Sequence, residues 1–151
     1  MNLDELIGSE GIVPSLKARS KRQVLQELAD IASEATGIPA ARIYEGLSDR
    51  EKLGTTGIGH GVAIPHGKFP ELERMIGIFA RSEQPVDFDS VDDEPVDLFF
   101  LLLAPQTAGS EHLKALAAVS RLFRDKTMCE KLRGAAGVDA LHALLTRKVA
   151  A

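Results

Sequence analysis

The apolar residues that follow Ser20 recur every three or four positions, which is the spacing of one helix face. They are Val24, Leu25, Leu28, Ile31, Ala32 and Ala35. Ser20 and Gln23 have the spacing of a capping box, in which two polar side chains satisfy N–H groups at a helix start. Gly37 and Pro39 are typical of a helix end. The pattern therefore predicts a helix that begins at Ser20 and ends at Gly37.

Apolar residues at helical spacing predict further helices in both halves of the chain. These run from about Ala40 into Ser48, from Ser110 to about Arg124, from Asp125 to Arg133 and from Val138 to Arg147. In the first of them the apolar stripe is Ile43, Tyr44 and Leu47. Three of the predicted helices follow one another at the end of the sequence.

Three other stretches predict strands. Residues 11–14 form a short one, and Pro14 is typical of an edge strand because proline donates no hydrogen bond to a neighbour. Residues 75–80 form a second. Residues 96–103 are apolar at consecutive positions, as in a strand that is covered on both faces. Since strands and helices are mixed, the sequence predicts the α/β class, with a central mixed β-sheet flanked by helices on both faces in a single domain, residues 1–151.

Composition and charge narrow the classes of function. With 151 residues, 44% of them hydrophobic and 26% charged, the chain has the size and balance of one globular domain. Cys129 is the one cysteine, so no internal disulfide is possible. No apolar run approaches the roughly 20 residues that span a bilayer, and the acidic start does not resemble a secretory signal. We therefore expect a cytoplasmic protein with no direct membrane insertion. The formal net charge of −4 also gives no electrostatic reason to expect nucleic acid binding.

Acidic residues dominate the segment between the last two predicted strands. They are Glu83, Asp87, Asp89, Asp92, Asp93, Glu94 and Asp97, and Arg81 is the one basic residue among them. A solvated loop or hairpin is the favoured interpretation of such a run. The alternative is a rim that steers a basic partner.

The chemistry of the chain is concentrated in a glycine-rich segment, residues 50–68. Four glycines fall within the eight positions 54–61, and glycine lets a ligand approach the main chain closely. A P-loop is excluded, because no Gly-Lys-Ser/Thr follows the spacer. A dinucleotide fingerprint that began at Gly57 would need its third glycine where Val62 stands. Nucleotide binding is therefore unsupported, and no cofactor is predicted.

His66 is the candidate reactive residue of this segment. Pro65 restricts its own φ and favours extended backbone at Ile64, while Gly67 removes side-chain bulk on the other flank. A preorganised neutral imidazole is a good nucleophile and titrates near physiological pH. A structural histidine in a turn could have the same neighbours, so spacing alone leaves both interpretations open.

A longer motif surrounds His66 and resembles a known family. Residues 57–68 read Gly-Ile-Gly-x-Gly-Val-Ala-Ile-Pro-His-Gly-Lys, and Arg-Glu-Lys-Leu-Gly precedes them. The motif resembles the enzyme IIA domains of the fructose and mannitol class in the bacterial phosphoenolpyruvate-dependent phosphotransferase system. The likeness continues through Val-Asp-Phe at 86–88 and Pro-Val-Asp-Leu at 95–98 to His-Leu at 112–113. Within the class, the sequence is most similar to the nitrogen-related regulatory branch.

The resemblance implies that His66 accepts a phosphoryl group from a small histidine phosphocarrier protein, and that Arg50 and His112 line the same site. Phosphoryl transfer depends mainly on positioning and on compensating charge at the phosphoryl oxygens. Arg50 offers a planar, permanently charged fork that suits this task. Without the resemblance, an exposed arginine near a helix C-terminus would be the better explanation of Arg50.

His112 falls in the first turn of the helix that Ser110 is expected to cap. The positive end of the helix dipole disfavours imidazolium there, so a neutral ring is expected. Such a ring could orient His66 or contact the phosphate. A boundary histidine above Leu116 is the alternative, and position alone does not separate the two.

Four more residues are candidates to cradle phosphate oxygens. Thr55 and Thr56 offer hydroxyl groups, and the backbone N–H groups at Gly57 and Gly59 can form an anion-binding concavity. The sequence does not assign this contact to any one of them.

Metal binding is not predicted. A zinc site built from His60, His66 and His112 lacks a carboxylate or cysteine at ligand spacing. His60 stands where the family often has asparagine, and a solvent-facing loop histidine is its favoured interpretation. Cys129 has no identifiable base nearby, so it is expected to be inert packing.

Two outputs remain open within the family. The first is regulation, in which the phosphorylation state decides which target proteins the chain binds. The second is sugar transport, in which the phosphoryl group passes to a cysteine on a separate enzyme IIB. Outside the family, the alternatives are a protein-interaction module in which His66 is never modified, and a metal-dependent hydrolase, which the missing ligand motif disfavours.

Overall fold

The structure, a computed structural model, describes residues 3–146, apart from the side chains of residues 8–10. The helices are α1 Leu3–Leu6, α2 Lys21–Thr36, α3 Ala40–Lys52, α4 Ser110–Arg124, α5 Lys126–Gly134 and α6 Val138–Thr146. The strands are β1 Ile7–Leu16, β2 Gly57–Gly59, β3 Val62–Ala63, β4 His66–Phe69, β5 Ile76–Val86 and β6 Val96–Pro105. No helix within residues 3–146 is long and apolar enough to cross a membrane.

All six strands belong to one mixed sheet. The order of five of them is β1-β5-β6-β3-β2. Strand β4 also pairs with β6, further along that strand than β3 does. Strand β6 runs antiparallel to β5 but parallel to β3 and β4. Strand β1 is an edge strand, as Pro14 predicts, and it runs parallel to β5.

Helices cover both faces of this sheet, which confirms the predicted fold class. One buried cluster joins α2 and α3 to the first face, where Phe99 and Leu101 of β6 pack. A second cluster joins α4, α5 and α6 to the opposite face, where Leu98 and Phe100 pack. Side chains of a strand alternate between faces, so β6 supplies both cores and is apolar at every position except Asp97.

The first predicted helix is confirmed, with a variation in its cap. The Ser20 hydroxyl accepts a hydrogen bond from the Gln23 N–H at 3.2 Å. The Gln23 side chain accepts from the N–H of Arg19 at 2.8 Å, one residue before the position that a capping box uses. Gly37 ends the helix in the left-handed region, with φ of 79°.

Helix α3 is longer than the sequence predicted. It continues to Lys52 instead of ending near Ser48. The apolar stripe stops at Leu47, so periodicity gives no signal for the last turn, whose charged residues still favour a helix. Arg50 therefore lies inside the last turn of α3 and not beyond it.

The cap predicted at Ser110 is wrong. Gly109 occupies the N-cap of α4 without any side-chain cap, and Ser110 is the first helical residue. Asp125, expected as the first residue of the next helix, is instead the N-cap of α5. The predicted end of the last helix, Arg147, lies outside the described residues. Helix ends depend on local backbone angles that apolar periodicity does not report.

The acidic segment is a hairpin loop, as the favoured interpretation stated. Val86 of β5 pairs with Val96 of β6, and the residues between them form the connection. Several carboxylates have partners: Asp92 accepts the N–H groups of His60 and Glu94, and Asp97 of β6 pairs with Arg133. These contacts give part of the acidic segment a structural role.

Candidate functional site

His66 is the first residue of β4 and lies beside Leu102 of the central strand. The neighbouring Pro65 carbonyl accepts the N–H of Leu102 at 2.9 Å, which fixes the backbone at this point. The Nδ1 atom of the ring is 2.8 Å from the carbonyl oxygen of Ile64. Because a carbonyl only accepts, Nδ1 must carry the proton when the two atoms are bonded, and Nε2 keeps the lone pair.

Arg50 supports the same assignment from the other side of the ring. Its Nε–H donates to His66 Nε2 at 3.1 Å, and its Nη1 donates to the Gly54 carbonyl at 3.0 Å. A guanidinium only donates, so Nε2 must be the acceptor. The two contacts agree on one tautomer, in which the nitrogen that keeps the lone pair faces a permanent positive charge.

His112 completes the group predicted from the sequence. It lies buried in the first turn of α4, and its ring centroid is 5.6 Å from that of His66, with an interplanar angle of 51°. Its Nδ1 is buried without a hydrogen-bond partner. The structure therefore brings together His66, Arg50 and His112, which come from a strand, the end of one helix and the start of another.

Both rings are electrostatically disposed to be neutral. The pKa of His66 is lowered from 6.5, chiefly by burial and further by Arg50, while the Ile64 hydrogen bond and Glu51 oppose the shift. The pKa of His112 is also lowered, first by burial and then by repulsion from Lys68 and from the charge that His66 would carry if it were protonated. Loss of water around an imidazole disfavours its charged form. The site thus favours a nucleophilic ring over a cationic one.

The predicted phosphate-contacting residues are bonded within the protein. The Thr55 hydroxyl donates to the Phe88 carbonyl and accepts from the Gly57 N–H, each at 3.0 Å. The Thr56 N–H and hydroxyl both donate to the carboxylate of Glu51. Gly59 has φ of 100° and pairs with Val62. These contacts hold the segment that leads to His66.

Sequence reasoning assigned no role to Glu51, although it lies within the family motif. Its side chain is only 6% exposed and is 3.0 Å from Lys21 Nζ of α2. The sequence does not indicate that this glutamate is buried, because its neighbours in the helix are also charged. It does not predict the ion pair either, because Lys21 lies 30 residues away in the chain. Only the packing of α2 against α3 brings the two together.

His60 occupies the turn between β2 and β3, where its backbone has φ of 56°. Asp92 accepts its N–H, and the Arg133 guanidinium donates to its carbonyl, each at 2.9 Å. The side chain is exposed. Cys129 is buried, and burial raises the pKa of its thiol, as expected of a packing residue.

Metal-ligating side chains do not cluster in the part of the chain that the structure describes. Within residues 3–146, no group of three or more histidine, cysteine, aspartate or glutamate residues could hold a metal ion. The chemistry that the site itself offers is that of a neutral nucleophile beside a guanidinium.

Comparisons with known proteins show which family the chain belongs to. Residues 5–148 match the model of the family described as "Phosphoenolpyruvate-dependent sugar phosphotransferase system, EIIA 2". The chain is 52% identical over 145 residues to a nitrogen regulatory protein of Bradyrhizobium diazoefficiens, covering 96% of this chain and 95% of that one. It is 36% identical to a nitrogen regulatory protein of Escherichia coli, covering 97% and 90%. The crystal structure of nitrogen regulatory protein IIA-Ntr from Neisseria meningitidis superimposes with a TM-score of 0.90 at 36% identity, covering 94% and 97%. The chain therefore belongs to the EIIA 2 family of the phosphoenolpyruvate-dependent sugar phosphotransferase system.

Proposed function

We propose that this protein is a phosphocarrier of nitrogen-related regulation, in which residues 1–151 form one enzyme IIA domain and His66 accepts the phosphoryl group. The observation that carries the proposal is the state of the His66 ring. Its Nδ1–H is bonded to Ile64 and its Nε2 lone pair faces Arg50. That arrangement provides a neutral nucleophile together with the positive charge that a phosphoryl group requires.

The transfer step follows from this geometry. The Nε2 lone pair attacks the phosphorus of a phosphohistidine on a histidine phosphocarrier protein. The new Nε2–P bond forms as the donor's N–P bond breaks, and the electron pair returns to the donor imidazole. Nδ1 keeps its proton and its hydrogen bond to Ile64, so the His66 ring becomes an Nε2-phosphoimidazolium and the step needs no separate base. A donor ring that carries a proton on its other nitrogen leaves as a neutral imidazole. The Arg50 N–H that now contacts Nε2 turns to the phosphoryl oxygens, where a charge-assisted hydrogen bond is stronger.

His112 supports the step as a neutral neighbour. Its ring lies close to that of His66 and burial lowers its pKa, so it adds no competing positive charge. Thr55, Thr56, Gly57 and Gly59 contribute through the shape of the loop, since several of their polar groups are already bonded within the protein. Direct contact with phosphate would require some of those bonds to exchange.

Exposed apolar side chains favour a protein as the phosphoryl donor. Leu53, three residues after Arg50, is 84% exposed, and Leu113, next to His112, is 66% exposed. Exposed large apolar residues that flank site residues in the sequence are consistent with a surface that another protein covers. Downstream, a phosphoryl group adds a charge of about −1.5 to −2 at this surface, enough to change which target proteins bind.

The test is intact mass spectrometry after incubation with phosphoenolpyruvate, enzyme I and the histidine phosphocarrier protein. The wild-type protein should gain one phosphate that survives in alkali and is lost in acid. His66→Ala should gain none, while the matched control His60→Ala should be labelled normally. Normal labelling of His66→Ala would exclude this assignment.

Two further results would favour a different function for this protein. If the wild type takes no phosphate from a donor shown to be charged, the protein is an interaction module without the chemistry. If the phosphorylated protein passes its phosphate rapidly to a cysteine of an enzyme IIB, the sugar-transport alternative is favoured over regulation.

A further inference from the structure

The buried carboxylate of Glu51 is hydrogen-bonded to the segment that leads to His66. The Glu51 side chain is only 6% exposed, although burying a carboxylate is costly unless it is paired and hydrogen-bonded. Its position in the last turn of α3 makes it the sequence neighbour of Arg50, which contacts the ring directly.

Glu51 satisfies this requirement with three contacts. Oε1 accepts the Thr56 N–H at 3.0 Å and lies 3.0 Å from Lys21 Nζ, while Oε2 accepts the Thr56 hydroxyl. The ammonium of Lys21 is itself held 4.8 Å above the ring centroid of Phe88. Glu51 therefore fixes Thr56 through both its backbone and its side chain.

Thr56 passes this constraint on to the histidine. Its carbonyl accepts the Ile64 N–H at 3.0 Å, and the Ile64 carbonyl accepts Nδ1–H of His66 at 2.8 Å. Three successive hydrogen bonds thus connect the Glu51 carboxylate to the imidazole. Thr56 and Ile64 each bond through both the N–H and the carbonyl, so a shift of Thr56 moves Ile64 and the carbonyl that holds the ring.

We propose that Glu51, paired with Lys21, is a positioning residue for phosphoryl acceptance, which fixes His66 as the Nδ1–H tautomer with Nε2 facing Arg50. The proposal rests on the function proposed above. Adjacent residues of one helical turn then control both ring nitrogens. Arg50 contacts Nε2 directly, and Glu51 sets the carbonyl that holds Nδ1 through the loop.

A purely structural role for Glu51 makes a different prediction. In that case its loss would lower stability but would not alter the ring or the transfer rate in the folded protein. The positioning role requires both to change, because a small misplacement of a reacting group can lower a rate on the order of a hundredfold.

The experiment uses Glu51→Gln in the full chain, with Glu83→Gln as the matched control. Glu83 also pairs with a lysine, Lys17, but on the exposed end of β5. Nitrogen-15 NMR of the histidine rings at about pH 8, above the ordinary pKa of imidazole, reports the His66 tautomer. We expect Glu51→Gln to mix the two tautomers and to slow phosphorylation on the order of tenfold or more. Glu83→Gln should match the wild type in both measurements.

A wild-type tautomer ratio and a wild-type phosphorylation rate in folded Glu51→Gln would overturn the proposal. If that variant does not fold, Thr56→Val provides the second test, because it removes one of the three contacts of Glu51 and keeps the backbone N–H. It should shift the tautomer in the same direction, and an unchanged ratio would equally overturn the proposal. The NMR measurement needs no phosphoryl donor. A failure of wild-type labelling would therefore overturn the function without deciding whether Glu51 sets the tautomer of His66.

Discussion

The glycine-rich segment holds two histidines, and an arginine contacts each of them in a different way. At the turn between β2 and β3, Arg133 donates to the backbone carbonyl of His60 and leaves the side chain exposed. At the start of β4, Arg50 donates to the ring nitrogen of His66. The first contact fixes the path of the chain, whereas the second holds the ring nitrogen that we propose as the phosphoryl acceptor. A histidine in a motif is thus informative only when it is known which of its atoms is held.

The environments of the two arginines explain the difference. Arg133 pairs with Asp97 in a bidentate contact, with Nε 2.9 Å from one carboxylate oxygen and Nη2 3.0 Å from the other. Arg50 has no carboxylate partner among the ion pairs of the described residues and bonds a carbonyl and an imidazole instead. Its positive charge therefore remains available to an incoming anion.

The largest expected effect comes from replacing Arg50 by lysine. Arg50→Lys should slow phosphorylation of His66 by about 10- to 100-fold, because loss of a charge-assisted hydrogen bond costs about 1.5–3 kcal/mol. A lysine ammonium cannot contact the ring and the Gly54 carbonyl as a planar fork does. The measurement is the rate of phosphate transfer from the charged phosphocarrier.

Arg133→Lys is the matched control for this comparison. It should leave the transfer rate near that of the wild type and lower the free energy of unfolding by about 1 kcal/mol, measured in urea. Equal slowing in both variants would show that the two arginines do not differ in function.

The pH dependence of transfer should show an intermediate effect. Only a neutral ring can attack, and the pKa of His66 is lowered from 6.5 by burial and by Arg50. The rate should therefore stay constant as the pH falls through the ordinary range of imidazole and decline only below it. The measurement is the transfer rate over a series of pH values, together with an NMR titration of the His66 ring. A rate that halves above pH 6.5 would contradict the lowered pKa.

The smallest expected effect comes from replacing His60, in the turn between β2 and β3. His60 has φ of 56°, a conformation that costs most residues free energy but that asparagine tolerates. His60→Asn should raise the free energy of unfolding by about 0.5 kcal/mol without changing transfer. His142→Asn, at an exposed position of α6, is the control and should change stability little, since both residues have similar helix propensity. Destabilisation by His60→Asn would imply that the exposed ring makes a stabilising contact.

Much of the fold could be predicted because its signals are local. The stripe of α2, the apolar run of β6 and the edge proline of β1 each depend on a few neighbouring residues, and the structure confirms all three. The last turn of α3 and the cap of α4 could not be predicted in this way. The first has no apolar stripe, and the second depends on a backbone conformation at Gly109 that its neighbours do not reveal.

The sequence by itself determined the class of fold, the family motif and the identity of the candidate residues His66, Arg50 and His112. The tertiary structure alone decided how these residues meet and which atom of His66 carries the lone pair. It also brought Lys21 of α2 to Glu51 of α3, which is hydrogen-bonded to Thr56 in the glycine-rich segment. The physical reason is that a hydrogen bond depends on atoms within about 3 Å of each other, and such distances between residues far apart in sequence exist only after the helices have packed on the sheet.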